Sequence, residues 1–209
     1  MNAEINLERE FEFPPYTFCV TTTDQIHKLN CSGIDPELYG NEVDVAMLGL
    51  PTLQVFMANN IPIFGGVHLS QRFRQIIPFY LEEEITVKGR LLGISAHPRG
   101  CVLRCEFNYA NADGTICVAA ERSGITPSDT KEPSQRIPRP DENFYGFSEI
   151  MRRPLEPQRV ADFSNEAGNL IHSDPQVANE HGFRAPIAAG LMGIHISRGD
   201  SEAPCPQKL

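Results

Sequence analysis

The feature that most constrains the fold is the stretch from residue 101 to residue 125, which predicts a β-hairpin. Apolar residues occupy alternate positions of its first arm, namely Cys101, Leu103, Cys105, Phe107 and Tyr109. Polar residues stand between them, and this period of two is typical of a strand with one buried face. The following NADG segment can turn the chain, because Gly114 takes a positive φ without steric cost. The second arm, ICVAAERSGI, should therefore pair antiparallel with the first.

Three earlier segments also predict strands: residues 15–22, 66–77 and 83–95. In the last of these, Ile85 and Val87 alternate with polar neighbours. The segment VAMLGLPTLQVFMANNIP lies between the first and the second of these strands. It is too apolar for a surface helix, and Pro51 suits a first helical position. We predict a buried helix over Thr52–Asn59, enclosed by an antiparallel sheet, which is an α+β arrangement.

The second half of the chain changes character. Residues 127–154 are rich in proline and have no hydrophobic period, which predicts a linker. EPQRVADFSNEAG is consistent with a helix. SDPQVANEHG predicts a short helix capped by Asp174, opened by Pro175 and followed by Gly182. An apolar segment, Pro186–Ile196, precedes residues 198–209, which we expect to be a disordered tail.

Composition excludes several classes of protein. A net charge of −9 at pH 7 argues against nucleic acid as a partner. No apolar run reaches the roughly 18 residues that a membrane span needs, so we expect no membrane segment. The acidic N-terminus, MNAEINLEREFEF, is unlike a secretory signal, and no organelle targeting is visible. The six cysteines form no C-x-x-C pair, so we expect buried free thiols and a reducing compartment, the cytoplasm.

The segment SNEAGNLIHSDPQVANEHGFRAP carries the candidate chemistry. Its Asn169, His172 and Asp174 are close in sequence, and a histidine near its reference pKa of about 6.5 suits proton transfer. Structural alternatives stand beside this hypothesis: a solvated histidine, an asparagine in a turn, and an aspartate that only caps a helix. Metal binding by His172, Asp174 and His181 is disfavoured, because their spacing matches no usual site.

Two parts of the chain resemble a known family. GGVHLSQRFRQIIPFYLEEEITVKGRLLGIS with RCEFNYANADGTICVAAERSGI resembles a non-catalytic N-terminal hotdog. FSNEAGNLIHSDPQVANEHGFRAPIAAGLMG resembles the start of a catalytic C-terminal hotdog. Both are similar to the double-hotdog members of the MaoC-like, (R)-specific enoyl-thioester hydratase/dehydratase family. The resemblance implies an N-terminal hotdog over 10–126, a partial second one over 155–197, and a long central helix wrapped by antiparallel sheet.

The family motif G-D-x-N-P-[LI]-H is similar to residues 166–172, EAGNLIH. Asn169 and His172 match, whereas the catalytic aspartate of the family falls on Ala167. The resemblance implies that His172 is the acid/base and that Asn169 orients the ligand. It also implies that the N–H of Gly190 binds the thioester oxygen. The alternative is that Gly190 simply allows close helix packing.

The resemblance leaves several functional assignments to be tested. Glu166 or Asp174 could replace the missing carboxylate, and Arg184 and Gly182 could contact the substrate. The expected substrate is an acyl-CoA or acyl-carrier thioester, and the reaction should need no metal or other cofactor. The protein would be a homo-oligomer or the partner of another hotdog subunit. The alternative is a degenerate module that binds acyl thioesters, or completes an oligomer, without turnover.

The resemblance also implies further strands after the central helix of the second hotdog. The chain has no room for them after Ile196. We therefore expect that another chain covers Pro186–Ile196, that the first hotdog covers it in part, or that the gene product is shortened.

Overall fold

The computed structural model describes residues 10–61, 63, 65–98, 100–127, 152–164 and 168–202. Five antiparallel strands form one sheet in the order β1-β3-β4-β5-β2. Their bounds are Glu12–Phe18 (β1), Val67–Gln75 (β2), Ile85–His97 (β3), Gly100–Ala110 (β4) and Ile116–Pro127 (β5). The predicted hairpin is confirmed as β4 and β5, which are joined by a turn in which Gly114 has φ 80°.

The described residues also form five α-helices. They are Thr22–Ser32 (α1), Pro51–Ala58 (α2), Pro157–Ser164 (α3), Pro175–Glu180 (α4) and Gly190–Glu202 (α5). Short 3-10 turns lie at Pro36–Leu38, Val45–Gly49 and Leu170–His172. No helix in the described part of the chain is long and apolar enough to cross a membrane.

The buried face of the sheet packs on α2, as the alternation in the hairpin predicts. Phe107 and Tyr109 of β4 are fully buried. The hydroxyl of Tyr109 donates a 2.6 Å hydrogen bond to the carbonyl of Leu48, just before α2, and Phe107 packs on the ring of Phe56 in that helix. A tyrosine buried in this way needs such a partner, so this contact fixes the helix against the sheet.

Several predicted bounds need correction. The predicted buried helix Thr52–Asn59 is present as α2, shifted by one residue. The long central helix that the resemblance implies is shorter, because the 3-10 turn Val45–Gly49 precedes it and Pro51 has no N–H to continue a helix from earlier residues. The first strand ends at Phe18 rather than Thr22, since Thr22 already belongs to α1. Pro127, predicted as the first residue of a linker over 127–154, is instead the last residue of β5. Residues 128–151 lie outside the described part of the chain.

Helix α1 is not among the predicted elements, although its ends carry clear sequence signals. The Oγ1 of Thr21 accepts a hydrogen bond from the N–H of Asp24, which is an N-cap. Gly33 ends the helix in a left-handed conformation. The helix buries Leu29 and Cys31, so it contributes to the packing of the C-terminal segment described next.

The C-terminal segment packs on the N-terminal sheet domain. Helix α5 contacts α1, β2 and the turn Val45–Gly49. Its Leu191 and Met192 are buried with Phe163 of α3. The apolar segment Pro186–Ile196 is therefore covered in part by the first half of the chain, which is one of the expected solutions.

A buried polar contact holds α5 in place. His195 Nδ1 lies 2.6 Å from Oδ2 of Asp44, and both side chains are almost completely buried. Nε of Arg198 lies 3.2 Å from the other oxygen of this carboxylate. The expectation of disorder from residue 198 is wrong for residues 198–202, because the helix continues past this ion pair to Glu202. Residues 203–209 lie outside the described residues.

The cysteines that the structure describes are free thiols, as expected. Cys31, Cys105 and Cys117 are buried, whereas Cys101 is half-buried and Cys19 is exposed. Burial raises the pKa of the Cys105 thiol to about 12, so this side chain behaves as a small apolar group. The sixth, Cys205, lies outside the described residues.

Candidate active site

A cavity of about 180 Å³ lies between the sheet and the C-terminal segment. Its walls are mostly apolar, with Leu53 and Phe56 from α2, Ile125 from β5, Phe163 from α3 and Leu191 from α5. Asn169, His172 and Gly190, the first residue of α5, also line it. The three residues predicted to act together therefore line one cavity, which has the apolar walls and few polar groups of a ligand site.

His172 is held in one orientation. Its Nδ1 lies 2.8 Å from the carbonyl oxygen of Ile187. A carbonyl can only accept, so Nδ1 carries a proton and Nε2 of the neutral ring has a lone pair. Burial lowers the pKa of His172 below its ordinary value, and the Ile187 carbonyl opposes this only in part. The ring is therefore neutral at pH 7 and able to accept a proton, and it is half-buried rather than freely solvated.

Asn169 and Gly190 supply hydrogen-bonding groups to the same cavity. Asn169 precedes the turn Leu170–His172, and its side chain makes no capping hydrogen bond there. Gly190 is the first residue of α5, so its N–H has no acceptor within the helix and carries the positive end of the helix dipole. A partial negative charge on a ligand oxygen would be stabilised at this position.

His68 lies so close to Gly190 that residue 190 has no room for a side chain. A methyl group there would stand 2.8 Å from Cβ of His68 and 3.0 Å from its Nδ1. Such contacts are too close for van der Waals radii, so β2 approaches the start of α5 because residue 190 is glycine. His68 thus lines the cavity beside Gly190.

His68 is also neutral. Its Nε2 donates to the carbonyl of Ser70 across 3.1 Å. Burial, and after it the positive charge of Arg122, lower the pKa of His68 to about 4. Both effects disfavour the imidazolium, because one removes its hydration and the other adds a like charge.

We expect the pKa of His68 to make the protein less stable in mild acid. The folded-state pKa of about 4 lies below the ordinary value of 6.5. The unfolded chain therefore binds the extra proton between these values, and stability falls as the pH is lowered through this window. The complete effect is about 3 kcal/mol, since one pKa unit corresponds to about 1.4 kcal/mol. The measurement is urea unfolding of the wild type and His68→Gln at about pH 7 and about pH 4.5. The free energy of unfolding should fall less between these pH values in the variant than in the wild type.

Comparing each protein with itself at the two pH values removes the effect of the substitution on packing. Carboxylates contribute to the pH dependence of both proteins equally, so the difference between the two losses isolates His68. Equal losses in the two proteins would contradict the neutral, buried state of this ring.

Two buried cations face the cavity. Lys28 of α1 is 1% exposed, and its Nζ donates to the carbonyl of Phe163 and lies 4.6 Å from the centre of that ring. Arg122 of β5 is 9% exposed and donates through Nη1 to Oγ1 of Thr52. No carboxylate stands among the described residues of the wall, so the described part of the cavity is electropositive although the chain is acidic overall.

Other predicted residues lie elsewhere. Oδ1 of Asp174 accepts from the N–H groups of Gln176 and Val177, at 2.7 and 3.2 Å, so Asp174 caps α4 as predicted. Asp174, Gly182 and Arg184 are not part of the cavity wall. Glu166, like Ala167, lies outside the described residues. No group of three or more potential metal ligands occurs within the described ranges.

Arg122 lines the cavity but is not among the predicted site residues, although the sequence carries a signal for it. It shares the inward parity of Val118 and Ala120 along β5, and both are buried. A charged residue at an inward position of a strand is unusual. That parity alone could have marked Arg122 as a candidate.

Comparisons with known proteins identify the fold. No protein-family model and no curated protein matches the sequence. HtdX from Mycobacterium tuberculosis is similar in structure, with a TM-score of 0.71 and 18% identity over 91% of this chain and 79% of that one. A MaoC-like dehydratase from Phytophthora capsici gives a TM-score of 0.62 and 15% identity over 95% and 77% of the two chains.

A larger protein contains the same fold. Peroxisomal multifunctional enzyme type 2 from Drosophila melanogaster gives a TM-score of 0.62 and 16% identity, over 90% of this chain and 36% of that one. Identities at this level establish a shared fold. The chain has the hotdog fold of the MaoC-like dehydratases, and the predicted α+β hotdog is confirmed.

Proposed function

We propose that the protein binds an acyl thioester in the cavity and catalyses hydration of a 2-enoyl thioester, or the reverse dehydration of the 3-hydroxyacyl thioester. One observation carries the proposal. A neutral imidazole with its Nδ1 fixed, His172, and the open N-terminus of a helix, at Gly190, line the same small apolar cavity. These are the groups that this reaction needs: a base, and a donor for the charge on the carbonyl oxygen.

In the proposed hydration, His172 first accepts a proton and then donates it. Its Nε2 takes a proton from water as the oxygen of that water bonds to C3 of the enoyl group. The electron pair of the double bond moves to the thioester carbonyl, whose oxygen becomes negative. The imidazolium then returns the proton to C2, which restores the carbonyl and the neutral ring, so no proton is lost or gained overall.

Gly190 and Asn169 would act on the ligand during this sequence. The Gly190 N–H would donate to the thioester oxygen, where the negative charge develops, and a fixed donor there stabilises the transition state more than the ground state. The Asn169 amide would orient the water or the thioester. Neither role needs a cofactor.

Ala167 supports a second candidate function. The residue stands where the resembled family carries its aspartate, and losing a positioned acid/base group typically costs a factor of about 10²–10⁴. A protein that binds acyl thioesters without turnover, or that completes an oligomer with another hotdog chain, would also keep the cavity. We propose CoA or carrier-protein thioesters as ligands in both cases.

The test is a hydration assay of the purified protein with crotonyl-CoA and longer 2-enoyl-CoAs, followed by loss of the ultraviolet absorbance of the conjugated double bond. Turnover above the uncatalysed rate supports the enzyme. If no chain length gives turnover, a thermal shift with saturated acyl-CoAs decides the second candidate, because a ligand that binds the folded state raises Tm. No shift at millimolar ligand would count against thioester binding altogether.

A further inference from the structure

Arg122 is an uncommon feature of a cavity with apolar walls. Its side chain is more than nine-tenths buried, yet among the described residues it has no carboxylate partner. Buried arginines are normally paired, because an isolated buried charge is costly. A guanidinium has five N–H donors, and within the described part of the chain only Nη1 is used, toward Thr52.

The unused donors are not satisfied by other groups of the described protein. Nε of Arg122 is buried without a hydrogen-bond partner. On one side the guanidinium lies over the ring of Phe56, 5.1 Å from its centre, which holds the group in place. Burial lowers the pKa of Arg122 to about 10, which still leaves it charged at pH 7. Arg122 therefore gives the cavity wall a fixed positive charge, and no described group of the protein uses all of its donors.

We propose that Arg122 binds a carboxylate at the far end of the acyl group, so that the preferred ligand is a short-chain thioester whose acyl group ends in an acid. This inference rests on the proposed thioester function and names its substrate class. Arginine matches a carboxylate with two parallel hydrogen bonds.

The size of the cavity favours a short ligand. A volume of about 180 Å³ is close to the roughly 150 Å³ of a protein cavity that holds one benzene molecule. An acyl group of about five carbons with a terminal carboxylate has a similar number of heavy atoms. The CoA or carrier portion must then lie outside the cavity, beyond its open side.

The test compares two saturated thioesters of matched shape, glutaryl-CoA and 5-methylhexanoyl-CoA, by isothermal titration calorimetry. Neither can be hydrated, so binding is measured independently of any turnover. We expect the wild type to bind glutaryl-CoA about 10- to 100-fold more tightly, the range typical of a hydrogen bond to a charged group. Arg122→Met should remove this preference, and Arg104→Met, an exposed arginine on the neighbouring strand, should retain it.

The outcomes separate this proposal from the proposed function. Equal affinities in the wild type, or a preference that survives in Arg122→Met, would overturn the carboxylate site. A wild type that prefers glutaryl-CoA but hydrates no enoyl-CoA would support the carboxylate site and contradict the proposed enzymatic activity. Free glutarate binding as tightly as glutaryl-CoA would overturn the thioester portion of the proposal. Should Arg122→Met fail to fold, Arg122→Lys, which keeps the charge but not the fork, must show a reduced preference.

Discussion

Replacing His172 with Gln should lower kcat for enoyl-thioester hydration by about 10²–10⁴-fold, the usual effect of removing a positioned acid/base group. Gln cannot take up and return a proton, but its side chain is similar in length and remains able to form hydrogen bonds. The measurement is kcat and KM for wild type and variant. A mainly structural role for His172 would raise KM and lower Tm, whereas the proposed role lowers kcat.

The pH profile gives a second readout of the same role. Because burial lowers the pKa of His172 below its ordinary value of 6.5, wild-type activity should be constant near neutral pH and fall only in acid. The variant should lack this acid limb. His97→Gln serves as a control, since His97 ends β3 and lies outside the described cavity wall. Unchanged kcat in His172→Gln would refute the assignment of the base.

Replacing Asp44 with Asn should lower the free energy of unfolding by about 3–5 kcal/mol, the range for losing one partner of a buried charged pair. The carboxylate is fully buried and faces His195 and Arg198 on its two oxygens. It also accepts from the N–H of Ala46 at 3.0 Å. An amide would present a hydrogen where an acceptor is needed, so at least one of these partners loses its contact.

Urea unfolding at neutral pH measures this effect. Asp113→Asn is a matched control, because Asp113 is exposed in the turn between β4 and β5, and a surface change of this kind is usually worth less than about 0.5 kcal/mol. A loss of the same small size in Asp44→Asn would mean that the contact between α5 and the sheet domain contributes little to stability.

The regular parts of this fold are predictable from sequence because their signals are local. The β4–β5 hairpin follows from residues that alternate in polarity and from the turn at Gly114. Helix α4 carries its cap, Asp174, and its terminating Gly182 within ten residues of each other. Only the neighbouring residues decide these elements, so the sequence pattern and the structure agree.

The candidate site is predictable in part. The residues that could not be predicted reach the site through contacts between segments that are far apart in sequence. Asn169 and His172 share a motif, and Gly190 follows from the resemblance. Arg122 and His68 belong to strands of the first half, and nothing in their neighbourhood says that a later segment packs over them. Their position depends on how the C-terminal segment docks on the sheet, which no local pattern encodes.

The contact between Asp44 and His195 has a consequence for biosynthesis. The two residues are 151 positions apart, so the polypeptide leaving the ribosome presents Asp44 long before its histidine partner exists. During that interval the apolar inner wall, later shielded by Leu191 and Met192, is open to solvent and to chaperones. Completion of the binding chamber must therefore wait until α5 has been synthesised, and any stalled product that lacks α5 exposes an apolar surface to its neighbours.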